Sequence, residues 1–378
     1  MLSLDINVLE SVPPSNINRD DTGSPKTAYY GGVLRARVSS QAWKRAMREM
    51  FPSLLPEGSL GVRTKFIVPL IAERIAAKRE DLAERSAEFA KAVLDATGIK
   101  SSETDRKGSD EGTMATGYLV FIANRELDDL ADIAIAWADE GVDPKKPDSK
   151  SKKDVQRAFK GIQAVDVALF GRMLADASDF NVDACSQVAH AISVNEISQE
   201  YDYFTAVDDC AADDNAGAGM LGTVGFNSST LYRYATVNVD ALMEQLESPE
   251  ATAHGVAAFV EAFVKSMPTG KQNTFANRTL PNVVAVSLRN DQPINLVSAF
   301  ERPVYAERDR SITQVAAERL AEYARDVESA YACPATKSWH VSYGVEPSSL
   351  DYFGEGVSLD ALVNSVRDAV ESALVSEE

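Results

Sequence analysis

Cationic side chains are concentrated in one stretch of this acidic chain, residues 18–48. The whole chain carries a formal net charge of −19, yet residues 33–48 contain five arginines and lysines and no aspartate or glutamate. Arginine and lysine bind phosphates through charge-assisted hydrogen bonds, and such contacts are short-ranged because salt screens charge beyond roughly 8–10 Å. The acidic total argues against non-specific nucleic-acid binding by the whole surface, but this stretch predicts a local site for a polyanion.

A helix that begins at Ser39 or Ser40, both residues that favour the N-cap position, is expected to present these cations. Its apolar stripe comprises Trp43, Ala46, Met47 and Met50, and its polar stripe comprises Gln41, Lys44, Arg45 and Arg48. Cations on one helix face without an acidic partner repel one another slightly, which favours an anion supplied from outside. The helix N-terminus adds free N–H groups beside Arg35 and Arg37. On these residues alone, a solvated helix face remains the alternative.

The segment before the helix, residues 13–34, is rich in Pro, Asn, Asp and Gly, which is typical of a long loop. It adds Arg19 and Lys26 to the cationic set. It also contains Asp20 and Asp21, the best carboxylate pair for holding a divalent cation in phosphodiester cleavage. Consecutive residues of an extended segment point in opposite directions, and aspartates in loops commonly hold turns. A metal-dependent ribonuclease that uses Asp20 and Asp21 is therefore the less favoured alternative.

Sequence motifs of common enzyme classes are absent. The chain has no Gly-x-Ser-x-Gly elbow, no Walker loop and no dinucleotide fingerprint. Its three cysteines and three histidines are scattered without metal-ligand spacing, so we expect no metal site, no cofactor and a reducing compartment. Since there is neither a secretory signal nor an apolar run of about 20 residues, we expect a soluble cytoplasmic protein without membrane association.

Two other segments differ from the rest of the chain in composition. One is lysine-rich and comprises Lys145, Lys146, Lys150, Lys152 and Lys153, which predicts either a soluble linker or a mobile patch that contacts phosphates. The other, residues 173–232, contains no lysine or arginine. Within it, aromatic and β-branched residues at 202–209 indicate an exposed hairpin between two sheet strands. The alternative is that Tyr203, Phe204 and Leu221 pack on another element of the chain.

Hydrophobic periodicity predicts a chain of the α+β class. Helices are expected over residues 63–97, 126–140, 240–246, 251–267, 311–331 and 359–374. Strands are expected over residues 2–12, 118–123, 165–170, 189–197, 230–239, 283–288 and 339–343. One sheet would be assembled from both ends of the chain, with a helical block and a hairpin inserted into it.

The order of the motifs resembles the CasC family, the backbone subunit of the type I-E CRISPR-associated Cascade surveillance complex. The specific motifs are Asn-Arg-Asp-Asp at 18–21, Gly31-Gly32 and the run 37–48; support comes from 168–173, 187–192, 202–209, 226–234 and 270–272. The resemblance implies a hand-shaped α+β protein. Its palm, similar to an RNA-recognition motif (ferredoxin-like), would comprise residues 1–51, 161–197 and 227–378. Residues 52–160 would be helical fingers and 198–226 a β-hairpin thumb.

The resemblance also implies roles for individual residues. Contacts to the guide RNA backbone would come from Arg19, Lys26, Ser39, Gln41, Lys44 and Arg48, with Met173 against the bases; the charge pattern adds Arg37 and Arg45. The thumb would place Tyr203, Phe204, Thr205, Val207 and Leu221 beside a displaced base. The lysine-rich segment is similar to a fingers surface that meets target DNA.

A non-catalytic scaffold is the function that the resemblance implies. Copies would stack head to tail along a CRISPR RNA, together with the large, small and guide-end-capping Cascade subunits, and would present the guide to a target DNA strand in antiviral defence. A scaffold that accepts any guide should hold the backbone and leave the base edges free, because phosphate contacts carry no sequence information. A wedge between bases needs apolar and aromatic bulk rather than cations.

Overall fold

The computed structural model describes residues 1–104, 113–159, 161–206 and 220–376, which form two compact units. The first, called here the sheet unit, comprises Met1–Met50, Gln187–Asp240 and Val256–Glu378. The second, called here the helical unit, comprises Phe51–Ser186 and Ala241–Gly255.

Within the described residues the strands are β1 (Ser3–Ser15), β2 (Thr27–Tyr30), β3 (Val33–Val38), β4 (Gly61–Thr64), β5 (Ser101–Glu103), β6 (Met114–Thr116), β7 (Val120–Ala123), β8 (Ser186–Val188), β9 (Ala191–Ser193), β10 (Glu200–Ala206), β11 (Met220–Asn238), β12 (Val283–Arg289), β13 (Lys337–Ser342) and β14 (Glu355–Gly356). The α-helices are α1 (Ser40–Met50), α2 (Ile67–Lys78), α3 (Ser86–Ala96), α4 (Asn124–Asp139), α5 (Ser149–Phe159), α6 (Val165–Phe170), α7 (Val239–Leu246), α8 (Pro249–Lys265), α9 (Gln272–Phe275), α10 (Ile312–Tyr331) and α11 (Leu359–Val375).

The sheet unit is built on one large sheet with the strand order β14-β13-β12-β1-β11-β9-β3-β2. Neighbours pair antiparallel, except β13 and β14, which are parallel. The two central strands join distant parts of the chain, since Ser3 of β1 pairs with Asn238 of β11. Helix α10 buries Leu320 and Ala324 in a core with Tyr232 and Val283 of the sheet. The α+β class predicted from the sequence is confirmed.

Residues 13–34 contain more regular structure than the sequence predicts. Strand β1 continues to Ser15 through Pro13 and Pro14, and its register with β11 shifts between Val12 and Ser15. Proline lacks an N–H, so it is tolerated at such an irregularity of the ladder. Strands β2 and β3 then form a hairpin whose turn is Gly31-Gly32, with φ of 60° and 83°. Positive φ at both turn residues is what a two-residue hairpin turn of type I′ requires, so the long-loop expectation is wrong here.

The helical unit packs α2, α3 and α4 around a core that includes Ile71, Phe89 and Leu130. Strands β4 and β7 form one two-stranded sheet, and β5 and β6 form another. The expected strand at 165–170 is wrong, because this segment is the short helix α6. A short apolar run that is buried all round has the same pattern in a strand and in a helix.

No helix in the described part of the chain is both long enough and apolar enough to cross a membrane.

Candidate nucleic-acid interface

Helix α1 packs against the rest of the sheet unit through its apolar stripe. Trp43, Ala46 and Met47 are buried, and the guanidinium of Arg233 lies 3.8 Å from the centre of the Trp43 ring. Arg233 is itself buried, where it forms an ion pair with Glu10 and donates to the main-chain oxygen of Phe263. This packing fixes the orientation of α1, and with it the direction in which the opposite face of the helix points.

The opposite face carries the predicted polar stripe. Gln41 and Arg45 are exposed, whereas Lys44 and Arg48 are half-buried. Partial burial lowers the pKa of Lys44, since the neutral amine is easier to desolvate than the ammonium. The sequence predicts that the cations of this face have no acidic partner. Arg45 differs from that prediction, because its Nε lies 2.8 Å from the Glu49 carboxylate. Exposed pairs at i,i+4 contribute only about 0.3–0.5 kcal/mol, so this one leaves Arg45 accessible to a stronger anion.

Asn18 ties the preceding loop to the start of α1. Its side-chain oxygen accepts from the Ser39 N–H at 2.9 Å, and its main-chain oxygen accepts from the Lys26 N–H at 2.9 Å. The Lys26 carbonyl in turn accepts from the Arg37 N–H at 2.9 Å. These bonds bring Lys26, Arg37 and the buried Ser39 together at the helix N-terminus, while Arg19 next to Asn18 is exposed.

Arg37 is oriented by contacts of its own. Its Nε donates to the Thr27 carbonyl at 3.0 Å, and its Nη1 lies 3.2 Å from His190 Nδ1. Burial, together with the charges of Arg37 and Lys26, lowers the pKa of His190. The imidazole is therefore neutral at neutral pH and is part of the same surface.

Arg35 does not belong to this surface, contrary to the expectation that it lies beside the helix N-terminus. Its side chain is fully buried. The guanidinium donates to five main-chain oxygens, those of Tyr30, Ser193, Val194, Phe300 and Glu301, at 2.6–3.3 Å. Arg35 thus joins the β2–β3 hairpin to the rest of the sheet unit.

An open cleft of about 540 Å³ runs beside α1 and has walls of mixed charge. Its lining includes Arg19, Asp20, Asp21, Arg45, Glu49 and Lys271. Asp20 Oδ1 accepts from the N–H and hydroxyl of Thr22 and from the Ser24 N–H, at 2.7–3.0 Å. These bonds, chiefly that of the Thr22 hydroxyl, lower the pKa of Asp20. Asp20 therefore holds a turn, and the described residues contain no cluster of three or more potential metal ligands.

The helical unit contains the other predicted RNA contact, Met173, which is 83% exposed. The preceding Arg172 is buried, where Nη1 lies 2.7 Å from both Glu126 carboxylate oxygens and Nε donates to the Phe180 carbonyl at 2.9 Å. This anchoring fixes the chain where Met173 projects outward.

The lysine-rich segment is only partly a linker. Lys145, Lys146, Lys150, Lys152 and Lys153 are all exposed. The last three lie in the first turns of α5, which begins beside Asp148, whose carboxylate accepts from the Ser151 N–H at 2.7 Å. Positive charge at a helix N-terminus opposes the helix dipole, so an external anion would stabilise this arrangement.

The predicted hairpin region has an exposed face. Strand β10 pairs antiparallel with the first part of β11, from Glu200–Phe226 to Ala206–Met220, and every residue of β10 is exposed. Tyr203 and Leu221 are 63% and 58% exposed, so most of each side chain faces solvent. Phe204 lies across Gly222, where a Cβ would be 2.4 Å from the ring, and Thr205 faces Leu221. Val207 lies outside the described residues.

Comparison with known proteins decides the family. The family model described as CT1975-like protein matches residues 4–365. The chain belongs to the CT1975-like family. Among solved structures, a chain of a "CRISPR RNA-guided surveillance complex, pre-nicking" is 35% identical with a TM-score of 0.83, over 97% of this chain and 100% of that one. A chain of a "CRISPR RNA-guided surveillance complex" is 30% identical with a TM-score of 0.72, over 96% and 99%. No curated protein matches. The resemblance to the CasC family is confirmed.

Three residues of the candidate site in this CT1975-like protein were given no role by sequence reasoning. Asn18 organises the cationic loop, His190 contacts Arg37, and Tyr201 is 64% exposed on β10. The position of Tyr201 could have been predicted from the alternation of side chains along a strand, because it lies on the same face as Tyr203. Nothing local to the sequence identifies the partner of His190, which is 153 residues from Arg37.

Proposed function

We propose that this CT1975-like protein is a non-catalytic subunit of a type I-E Cascade complex that binds CRISPR RNA. Copies stack head to tail along the guide RNA, beside the large, small and guide-end-capping subunits, and present the guide in segments to a target DNA strand. The observation that carries the proposal is the pair of hydrogen bonds made by Asn18. They join the loop that carries Lys26, which is itself bonded to Arg37 of β3, to Ser39 directly before α1.

The chemistry of this surface suits a sugar–phosphate backbone. Lys26, Arg37, Lys44, Arg45 and Arg48 carry charge, while Gln41 adds a neutral donor and acceptor. None of these groups requires a particular base, so a guide of any sequence can be held. The two similar solved chains come from complexes that are RNA-guided, which supports RNA as the polyanion.

In this proposal residues 1–51, 161–197 and 227–378 act as a palm similar to an RNA-recognition motif, 52–160 as fingers, and 198–226 as a thumb. The exposed aromatic side chains of β10 suit a wedge beside a displaced guide base, since unstacked bases pack on aromatic rings. The exposed lysines of the helical unit suit target DNA. Asp20 is a turn residue with its Oδ1 engaged, so the ribonuclease alternative is not favoured.

Charge reversal on α1 tests the proposal. Lys44→Glu with Arg48→Glu should abolish RNA association, whereas the wild-type assembly should contain RNA and dissociate on ribonuclease treatment or at high salt. The matched control is Arg308→Glu with Lys337→Glu, a double reversal at two exposed positions of the same unit, which should retain RNA. Thermal melting monitored by circular dichroism verifies that both variants fold.

The outcomes separate two errors. RNA retained by the folded α1 variant would show that the interface is assigned to the wrong residues. A wild-type assembly without RNA would refute the function itself. A divalent-ion-dependent cleavage activity that disappears in Asp20→Ala with Asp21→Ala would instead establish the ribonuclease.

A further inference from the structure

His190 has a defined hydrogen-bonding geometry on the exposed surface of the sheet unit. It lies between β8 and β9, and its side chain is exposed. Its Nδ1 is 3.2 Å from Arg37 Nη1, and Arg37 is independently fixed by its Nε bond to the Thr27 carbonyl. The ring is thus docked on an arginine that has its own anchor.

The contact with Arg37 determines which ring nitrogen carries the proton. A guanidinium has five N–H donors and no acceptor, so Arg37 donates and His190 Nδ1 accepts. The neutral imidazole then carries its hydrogen on Nε2. Within the described part of the chain, Nε2 makes no hydrogen bond. Burial and the neighbouring Arg37 and Lys26 lower the pKa of the ring, in keeping with this neutral tautomer.

We propose that His190 is an RNA-contacting residue whose Nε2–H donates to a backbone oxygen of the guide, beside Lys26 and Arg37. The inference rests on the proposed RNA-binding function. Two cations attract the phosphates, and a neutral donor of fixed direction adds alignment without charge. The oxygen belongs to a phosphate or to a ribose 2′-hydroxyl, both of which accept hydrogen bonds.

Two substitutions separate this role from support of Arg37. In His190→Asn the amide oxygen can take the place of Nδ1 as acceptor for Arg37, but nothing reaches the position of Nε2. In His190→Gln the longer side chain places an amide N–H near the position of Nε2. We expect His190→Asn to weaken binding of the full chain to a fluorescent single-stranded RNA by about 3- to 10-fold, the scale of one net hydrogen bond. His190→Gln should bind within about twofold of the wild type.

The salt dependence supplies a readout that a structural role would not reproduce. Because no charge is removed, His190→Asn should leave the slope of log affinity against log salt unchanged, whereas Arg37→Gln should reduce its magnitude by about 0.7. A single-stranded DNA of the same sequence distinguishes the acceptors. A defect on RNA alone identifies the 2′-hydroxyl, and a defect on both identifies the phosphate.

The inference is overturned if His190→Asn binds RNA as tightly as the wild type, if its salt slope falls as in Arg37→Gln, or if His190→Gln is as defective as His190→Asn. Failure of the proposed function has a different signature. In that case the wild-type chain itself would not bind RNA.

Discussion

The guanidinium of Arg233 lies 3.8 Å from the centre of the Trp43 ring, so a buried cation supports the helix that carries the candidate interface. The same guanidinium pairs with the buried carboxylate of Glu10, which also accepts from the Thr279 hydroxyl at 2.9 Å. The orientation of α1 therefore depends on an ion pair between β1 and β11, and β11 is far from α1 in sequence.

Replacement of Arg233 by Met should destabilise the chain by about 3–5 kcal/mol, because it leaves Glu10 as an uncompensated buried charge. The free energy of unfolding, measured in urea, tests this. Adding Glu10→Gln should recover part of the loss. The matched control is Arg367→Met, which removes a surface pair with Asp368 and should cost at most about 1 kcal/mol. Equal costs for Arg233→Met and Arg367→Met would contradict the role given to the buried pair.

The two glycines of the β2–β3 turn should respond differently to alanine. A Cβ at Gly31 would lie 1.6 Å from the Glu301 carbonyl oxygen, whereas a Cβ at Gly32 meets nothing within 4 Å. Both have positive φ, so Gly32→Ala should cost about 1–2 kcal/mol from backbone strain alone. Gly31→Ala adds a main-chain collision and should cost about 2–5 kcal/mol. Melting temperatures in the opposite order would show that the hairpin is not seated on Glu301.

The contact between Phe204 and Gly222 should govern the exposed hairpin face. Gly222→Ala would displace the Phe204 ring, because the new Cβ comes within 2.4 Å of it. On the proposed function, we expect Gly222→Ala and Phe204→Ala to weaken target-DNA binding by the assembled complex to a similar extent, by about 1 kcal/mol or more. The double variant should be no worse than either one. Thr223→Ala, an exposed neighbour on β11, is the control. Additive losses would mean that the two residues act separately.

The two described cysteines should differ in reactivity. Burial, with the charges of Glu244 and Asp183, raises the pKa of the Cys185 thiol to about 11, while Cys333 is partly exposed. In a Cys210→Ser background, maleimide at pH 8 should label Cys333 and leave Cys185 unmodified until the protein unfolds, because only about 0.1% of the buried thiol is thiolate. The folded pKa is raised, so the contribution of Cys185 to stability is present below pH 9.0 and is lost as pH rises through about 11. Rapid labelling of Cys185 in the folded chain would contradict this.

Local features of this protein were predictable from sequence, and long-range ones were not. The two faces of α1 follow from helical periodicity, and the structure buries Trp43 and Met47 as that periodicity predicts. The pair Gly31-Gly32 is typical of a two-residue hairpin turn, although the residues before it are typical of a loop.

Burial of Arg35 could not be foreseen, because its acceptors include carbonyls 158–266 residues away. The sequence likewise places Arg37 in the cationic set but gives no sign of His190, whose contact depends on the pairing of β3 with β9. Periodicity describes one element at a time, and these contacts exist only after the sheet has formed.

The anchoring of α1 by Arg233 also determines when, during synthesis of the chain, the helix can dock. About 190 residues separate Trp43 from Arg233, and the strand that carries Arg233 pairs with β1 near the N-terminus. At about 5–20 residues per second, Trp43 is translated roughly 10–40 s before Arg233. For that interval the segment that forms α1 has no docking surface in the nascent chain, and the interface can acquire its final orientation only after β11 has been made.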